Sequence, residues 1–480
     1  MAHRWVVGVV AVGLVAVPGG GVARAEGVGL GVVVRHVGEI AVQDVVAQPG
    51  SEPDTLVEPD VAVSPVDPDV AVAVFHDGRF PDGGAVAIGY AWTHDGGRSW
   101  RQAPLPGVSV ATGGTAPRVS DPVVAFGPDG TVYVSTLLVS LGCDSGIAVS
   151  RSTDGGRTFG APVIAHQSAD CAVSDDKNWL VVDNGRFSPH RGRLYQFWTE
   201  FLTDAAGTTT GSPQMVRWSD DRGRHWGPVV AISESDVVTQ GSQPMIRADG
   251  TITDTYVNFG DDAGDEGPER PGQGAAARAE DEEEEGLLLV ARTSRDGGRT
   301  WSAETPIADD ISDGPDGVRC CVPSSAIDPV TGRMYATWDS ADPGAVRMST
   351  SRDGRHWSEP VQVNRDDREG VEHVNVDVTA YAGRVLIQYG SRDTTVANGQ
   401  FLQQFGQIST DAGRHFGRAI PLGPPSDLRF AAQARGIFLG DYIGSASTAG
   451  RAYLVWCRSS APPDPTATFH QTLYAAVLRI

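Results

Sequence analysis

One string constrains this chain more than any other: Ser/Thr-x-Asp-x-Gly-x-x-Trp/Phe. It occurs as THDGGRSW (93–100), STDGGRTF (152–159), SDDRGRHW (219–226), SRDGGRTW (294–301) and STDAGRHF (409–416). SRDGRHW (351–357) is a sixth copy, one residue shorter. Successive closing aromatics lie 59, 67, 75, 56 and 59 residues apart. A period near 60 implies one supersecondary unit used repeatedly, each copy burying its apolar faces against its neighbours.

Each unit has the same layout. A strand ends in a Gly turn, a second strand follows, a third runs into the Asp-x-Gly string, and a short fourth closes the unit. In the second unit these are DPVVAF, GTVYVSTLL, GIAVSRSTDGG and APVIA. Alternation, Gly turns and β-branched or aromatic residues support strands, and no long segment has helical periodicity. The expected fold is therefore all-β, a β-propeller with one four-stranded antiparallel blade per repeat. Blades are expected near 56–107, 118–166, 176–233, 240–308, 318–364 and 371–422, with a seventh at 436–480. The seventh lacks the Asp string and ends at its third strand. The strand-like VVVRHVGEIAV (32–42) is available to complete it and remove an open edge. Seven blades is the preferred count and six the alternative.

The chain has 480 residues and a formal charge of −22, which argues against a nucleic-acid partner. His3 and Arg4 precede an apolar run, and Ala23-Arg24-Ala25 offers a small-x-small cleavage site. Residues 1–25 read as a secretory signal, so a secreted, extracellular protein is expected. No other segment is apolar and long enough to span a bilayer. Residues 26–50 form an N-terminal segment and 51–480 the propeller. Within it, 261–286 is low-complexity and acidic, the composition of a disordered loop. The five cysteines permit disulfides in an exported chain, and none of their spacings suits a zinc site. Cys143 and Cys171 fall close enough for a bridge. Cys320 and Cys321 either pair with each other or offer one partner to Cys457. No cofactor is expected, and a monomer is.

The residues of the string suit a turn. Ser/Thr and Asp side chains bind local backbone N–H groups, glycine takes positive φ, and the aromatic pins the turn to the blade. On these grounds the strings resemble the Asp-box (BNR) repeats of the sialidase superfamily and related propellers. Nearly the whole chain after residue 25 shares the resemblance. It implies that the boxes lie on the face away from any active site.

On the opposite face, second-strand ends supply Asp77, Arg79, Glu200, Asp261, Asp339, Arg392, Asp393 and Arg458. The links between blades supply Glu58, Asp121, the stretch 175–178 with Lys177, Gln243, Arg319, His373, Asp441 and Tyr442. Lys177 is the only lysine. The sialidase resemblance implies a tyrosine nucleophile activated by a glutamate, an aspartate acid/base, and arginines gripping a carboxylate. DYIGSASTAGRAYLVW (441–456) is similar to the family segment that carries the tyrosine, which would make Tyr442 the nucleophile. VAVAVFHDGR (70–79) is similar to the first-blade strand, placing Asp77 and Arg79 at its end and Asp82 where the acid/base would lie. Glu200 is a candidate partner for Tyr442. Arg79, Arg392, Arg458, Arg319 and Lys177 are candidates for substrate binding. The sequence departs from the family where LVEPDVAV stands in place of an Arg-Ile-Pro motif. The expected function is a secreted sialidase-like glycoside hydrolase acting on a glycan or glycoconjugate. The alternative is a non-catalytic propeller that binds carbohydrate or a cell-surface protein.

Overall fold

The computed structural model of the chain describes residues 33–480 except 141, 261–286, 313, 316, 321, 343 and 367. The expected signal segment, the acidic stretch 261–286 (with Asp261) and Cys321 lie outside the described residues. The described chain is all-β. Its helices are three single turns of 3-10 type, at Val110–Thr112, Ala397–Gly399 and Leu428–Phe430. None of them is long and apolar enough to cross a membrane.

The strands form seven antiparallel units in which chain neighbours pair. Sheet 1 contains Asp60–Val63, Ala71–Arg79, Ala85–Thr93 and Arg101–Pro104. Sheet 2 contains Arg118–Phe126, Val132–Val139, Ser145–Ser152 and Val163–Ser168, and touches sheet 1 through the pair Ala85–Val119. Sheet 3 is built on Val173–Val182, Leu194–Thr203 and Gln214–Ser219, with Val230–Ala231 outermost. Sheet 4 is built on Met245–Ile246, Ile252–Asn258, Leu288–Ser294 and Thr305–Ala308. Sheet 5 holds Ser324–Ile327, Met334–Asp339, Val346–Ser351 and Val361–Gln362. Sheet 6 holds Val371–Tyr381, Arg384–Asp393, Phe401–Ser409 and Ile420–Pro421. In sheet 7, Gly444–Thr448, Arg451–Ser459 and Gln471–Arg479 are completed by Val33–Ala41, antiparallel to Gln471–Arg479. One end of the described chain thus closes the sheet made by the other. The first strand of sheet 1 packs against the first strands of both sheet 2 and sheet 7.

The six Asp strings do the same work in each turn. In 294–301, Ser294 Oγ donates to Asp296 Oδ1 at 2.9 Å and accepts from Gly298 N at 2.9 Å. Asp296 also accepts from Thr300 N at 3.0 Å and Thr300 Oγ1 at 2.7 Å. The shortened copy keeps the motif, with Arg355 N and His356 N both donating to Asp353. The closing aromatic packs onto the preceding sheet rather than only onto its own. Phe159 of sheet 2 meets Tyr90 of sheet 1 edge-on at 4.8 Å, Trp301 of sheet 4 meets Phe197 of sheet 3 at 6.1 Å, and Trp100 of sheet 1 meets Tyr453 of sheet 7 at 6.4 Å. At Gly156 (φ 83°) a Cβ would lie 2.3 Å from Val72 Cγ2 of sheet 1, so a side chain there would push two sheets apart. Each string is therefore a fastener between neighbouring sheets, which explains its recurrence at sheet period.

Two insertions sit outside this pattern. Val318–Arg319 pairs in parallel with Ile437–Phe438, which pairs with Ala432–Gln433. This small sheet joins the links leading into sheets 5 and 7. Cys143 and Cys171 form a disulfide between a loop of sheet 2 and the link into sheet 3. Cys320 is also disulfide-bonded, while Cys457 is a buried free thiol. That rules out Cys457 as the partner of Cys320 or Cys321.

Candidate functional site

One pair between the first two strands of each sheet, the first after the bulge in sheets 2, 3 and 6 and the first of the ladder or nearly so elsewhere, marks one register position. These pairs are Asp60–Val74, Val123–Ser135, Trp179–Phe197, Met245–Thr253, Ser324–Thr337, Asp377–Gln388 and Gly444–Val455. Two residues earlier in each chain stand Glu58, Asp121, Lys177, Gln243, Val322, Asn375 and Tyr442. Four of these take left-handed backbone: Glu58 (φ 54°), Asp121 (φ 47°), Lys177 (φ 42°) and Asn375 (φ 53°). The strands of sheets 2, 3 and 6 bulge at this point. A left-handed non-glycine residue costs on the order of 1 kcal/mol, and bulges re-aim side chains. Recurrence at one register position shows what the bulges accomplish: they turn polar side chains of separate sheets toward one another.

The meeting point is buried. Glu58 Oε2 lies 3.0 Å from His76 Nε2, and that nitrogen is 3.1 Å from Asp121 N and 3.3 Å from Ser120 Oγ. Ser120 Oγ donates to Asp121 Oδ1 at 2.7 Å. Tyr442 of sheet 7 reaches across to donate its hydroxyl to Pro122 O of sheet 2 at 3.2 Å. Lys177 of sheet 3 places Nζ 3.4 Å from the centre of the Tyr442 ring and 5.0 Å from that of Trp179. The Lys177 ammonium is buried and makes no hydrogen bond. Arg319, from the small sheet, grips Asp441 with two bonds of 3.1 and 2.9 Å beside Tyr442. At Gly440 a Cβ would stand 2.8 Å from Glu58 N, so the chain leading to Tyr442 passes directly over Glu58.

This packing separates the two carboxyls electrostatically. Burial pushes Glu58 up, but His76, Lys177 and Arg319 more than offset it and hold the group at about 2. Burial and then the Glu58 charge push Asp121 up to about 6. Burial, followed by Glu58 and Asp121, pushes the Tyr442 phenol well above its usual range. On the acid side of neutrality the centre therefore holds an ionised glutamate and a protonated phenol, with an aspartate close to its titration midpoint. Two carboxyls driven apart in this way are suited to separate acid and base roles.

Of the residues singled out from the sequence, Tyr442, Lys177 and Arg319 belong to this centre. Asp77 is buried in a different contact, accepting from Val45 N at 3.0 Å and Val46 N at 3.1 Å, so it anchors the segment after the closing strand. Burial pushes its carboxyl up to about 7. Arg79 is buried against Glu52 and donates to Gln433 O at 3.1 Å. Asp82 is exposed and pairs with Arg118 at 2.8 Å. Arg392 bonds Glu372 at 2.5 Å, and Arg458 donates to Pro425 O at 3.1 Å. Arg79, Arg392 and Arg458 are thus held by separate partners on three sheets. Glu200 lies with His166 and Asp175 rather than with Tyr442, whose acidic neighbours are Glu58, Asp121, Asp60 and Asp441.

Glu58 and Asp121 were visible in the sequence only as polar residues leading into blades. His76 was passed over in favour of Asp77 next to it. The usable signal was the Glu-Pro and Asp-Pro pairs at 58–59 and 121–122, one just before the first strand of sheet 1 and one at the bulge within the first strand of sheet 2. His76 carries no local signal, because its role depends on contacts made by sheet 2.

No protein-family model and no curated protein matches this sequence. Solved structures similar to the chain include the alpha-L-arabinanase of Penicillium chrysogenum complexed with arabinobiose. It is 13% identical over 78% of this chain and 94% of that one, with a TM-score of 0.47. A Hadza microbial sialidase is 14% identical over 92% of this chain and 94% of its own, with a TM-score of 0.48. A leech intramolecular trans-sialidase is 11% identical over 87% and 90%, with a TM-score of 0.43. Sialidases are thus among the structures similar to a chain whose repeats resemble theirs. At these identities and TM-scores, the functional reading rests on the site's own residues.

Proposed function

We propose that this chain is a glycoside hydrolase acting on glycans, built as a seven-bladed Asp-box propeller with its chemistry at the Glu58–Asp121–Tyr442 centre. The observation that carries the reading is the meeting of two buried carboxyls from adjacent sheets, Glu58 and Asp121, at His76 beside the buried Tyr442. Glycosidic cleavage requires one group to protonate the leaving oxygen and another to attack or to activate the attacker. Asp121, raised to about 6, is the proton donor. Glu58, held ionised, takes the proton of Tyr442 when the phenol attacks the anomeric carbon. This assignment puts Glu58 in the place that the sequence offered to Glu200. Sialic acid is the finer reading of the sugar. Its support is Tyr442 on the last sheet, where the sialidase resemblance expects a nucleophile, with the cations Lys177 and Arg319 close by.

The test is release of fluorophore from aryl glycosides of sialic acid, arabinofuranose, uronic acids and neutral hexoses, by wild type and by Asp121→Asn, Glu58→Gln and Tyr442→Phe. Release from at least one glycoside, lost in Asp121→Asn with the fold intact by circular dichroism, supports a hydrolase. Release from the sialoside lost in Tyr442→Phe supports the finer reading. One observation favours the non-catalytic alternative: the Tyr442 hydroxyl is already bound to Pro122 O, and Gly440 covers Glu58. No release from any glycoside, together with glycan binding on an array, would favour that alternative.

A further inference from the structure

A second cluster lies where sheets 2 and 3 meet. His166 is on the outermost strand of sheet 2, Asp175 on the first strand of sheet 3, and Glu200 is the cross-strand partner of Asp175. The three side chains offer donor atoms that all lie within 4.8 Å of one another. His166 Nε2 is 3.3 Å from Asp175 Oδ1 and 4.0 Å from Glu200 Oε2.

We propose that His166, Asp175 and Glu200 bind one divalent first-row metal ion that staples sheet 2 to sheet 3. Bonds of about 2.0–2.2 Å around a tetrahedral or octahedral ion place donor atoms roughly 3–4 Å apart, the spacing of His166 Nε2 from both carboxylates. The Asp175 side chain is fully buried (0% exposed), yet its Oδ1 has no hydrogen-bond partner, and neither has His166 Nε2. The two atoms face each other but miss hydrogen-bond alignment, as donors do when both aim at a common point between them. A buried carboxylate oxygen left in this way is costly unless a cation meets it.

The surroundings fix the ligands. Ser145 Oγ donates to Asp175 Oδ2 at 2.9 Å and accepts from Asp175 N at 3.1 Å, so only Oδ1 is free to bind. The His166 ring stacks on Trp198 at 4.5 Å, which sets the direction of Nε2. Ligands held by their neighbours are the mark of a built metal site. Among the described residues, neither Asp175 nor Glu200 pairs with a lysine or an arginine. The central cluster of Glu58, His76 and Asp121 differs on this point, since Lys177 already supplies its cation and Asp121 N occupies His76 Nε2. One imidazole and two carboxylates favour zinc or manganese over calcium, which prefers an all-oxygen shell. The Cys143–Cys171 disulfide ties the same two sheets, so the ion would be a second staple at one seam.

The experiment is titration calorimetry of the tag-free, chelator-treated protein with Zn²⁺ and Mn²⁺. Co²⁺ absorption serves as a spectroscopic readout. One ion per chain is expected, with His166→Ala and Asp175→Asn abolishing binding. Glu200→Gln, at the partly exposed rim, should weaken it while preserving the fold. Ser145→Ala should weaken it by about 10- to 100-fold, as loss of an orienting partner does. Zn²⁺ should raise the Tm of wild type and leave that of Asp175→Asn unchanged. No stoichiometric binding of any of the three ions would overturn the assignment. So would binding that survives both His166→Ala and Glu200→Gln, and binding lost instead in His76→Ala would move the ion to the central cluster.

Discussion

The ammonium of Lys177 rests 3.4 Å from the centre of the Tyr442 ring, with no hydrogen bond to hold it there. A cation over an aromatic face is attracted by the ring quadrupole, more strongly when both are out of water. The pair joins the first strand of sheet 3 to the link leading into sheet 7 and ties Lys177 to the Glu58–Asp121 centre. Because Lys177 is the only lysine, its chemistry can be read without interference.

An amine-reactive reagent should leave Lys177 unmodified in the native protein and label it fully in denaturant, as read by mass spectrometry. Lys177→Met removes one of the cations that face Glu58 and Asp121 and should cost up to about 3–5 kcal/mol in denaturant unfolding, the range for breaking a buried charge pair. Rapid native labelling would mean the centre is open to solvent.

Glycoside release should be greatest on the acid side of neutrality and fall as pH rises through about 6, where Asp121 loses the proton it donates. Glu58, held at about 2, stays ionised across that window. The same shift has a sign for stability. The folded pKa of Asp121 is raised from 3.8 to about 6, so the folded state holds the proton more tightly and stability falls as pH rises across that interval. Asp121→Asn should remove this slope, at most about 1.4 kcal/mol per pH unit. Urea midpoints at pH 4 and pH 7 for both proteins provide the check.

Asp296→Ala should destabilise the fold without altering chemistry. It removes the acceptor for Thr300 N and Thr300 Oγ1 in one fastener turn, worth about 1–2 kcal/mol. Turnover per folded molecule should match wild type. A drop in kcat at full folding would refute the purely structural role.

Reduction of the Cys143–Cys171 bridge should lower the Tm. Its sequence separation of 28 corresponds to about 3–4 kcal/mol of loop-closure entropy in the unfolded chain. Cys457 is buried, and burial pushes its thiol well up, so iodoacetamide should spare it until global unfolding. Alkylation of Cys457 in the native state would contradict that burial.

Much of the fold was legible because it is local and repeated. The Asp-x-Gly string needs a particular turn, that turn joins two strands, and its spacing sets the length of a sheet. The strand-like segment at 32–42 could be matched to a last unit lacking its outer strand, and Val33–Ala41 pairs there. The site was legible only in part. Tyr442, Lys177 and Arg319 stood out by position or rarity, yet Asp77 and Arg79 were chosen from a strand in which His76 is the residue that faces the centre. Gly78, at φ 75°, lies between Asp77 and Arg79 near the strand end, and its conformation cannot be read from a pattern of alternation.

The sequence alone determined the sheet period, the Asp-string turns and the sheet end at which polar residues collect, since each follows from local hydrogen bonding and side-chain alternation. Tertiary structure decided which of those residues meet. Glu58, Asp121 and Lys177 are 63 and 56 residues apart in turn, and they converge only because left-handed backbone at matching register points turns each toward the others. Glu200 carries the same charge as Glu58 but sits one sheet seam away, beside His166 and Asp175. Charge and residue type are written in the chain. The electrostatic partner that sets each group's proton affinity comes from another sheet, so only the assembled structure identifies it.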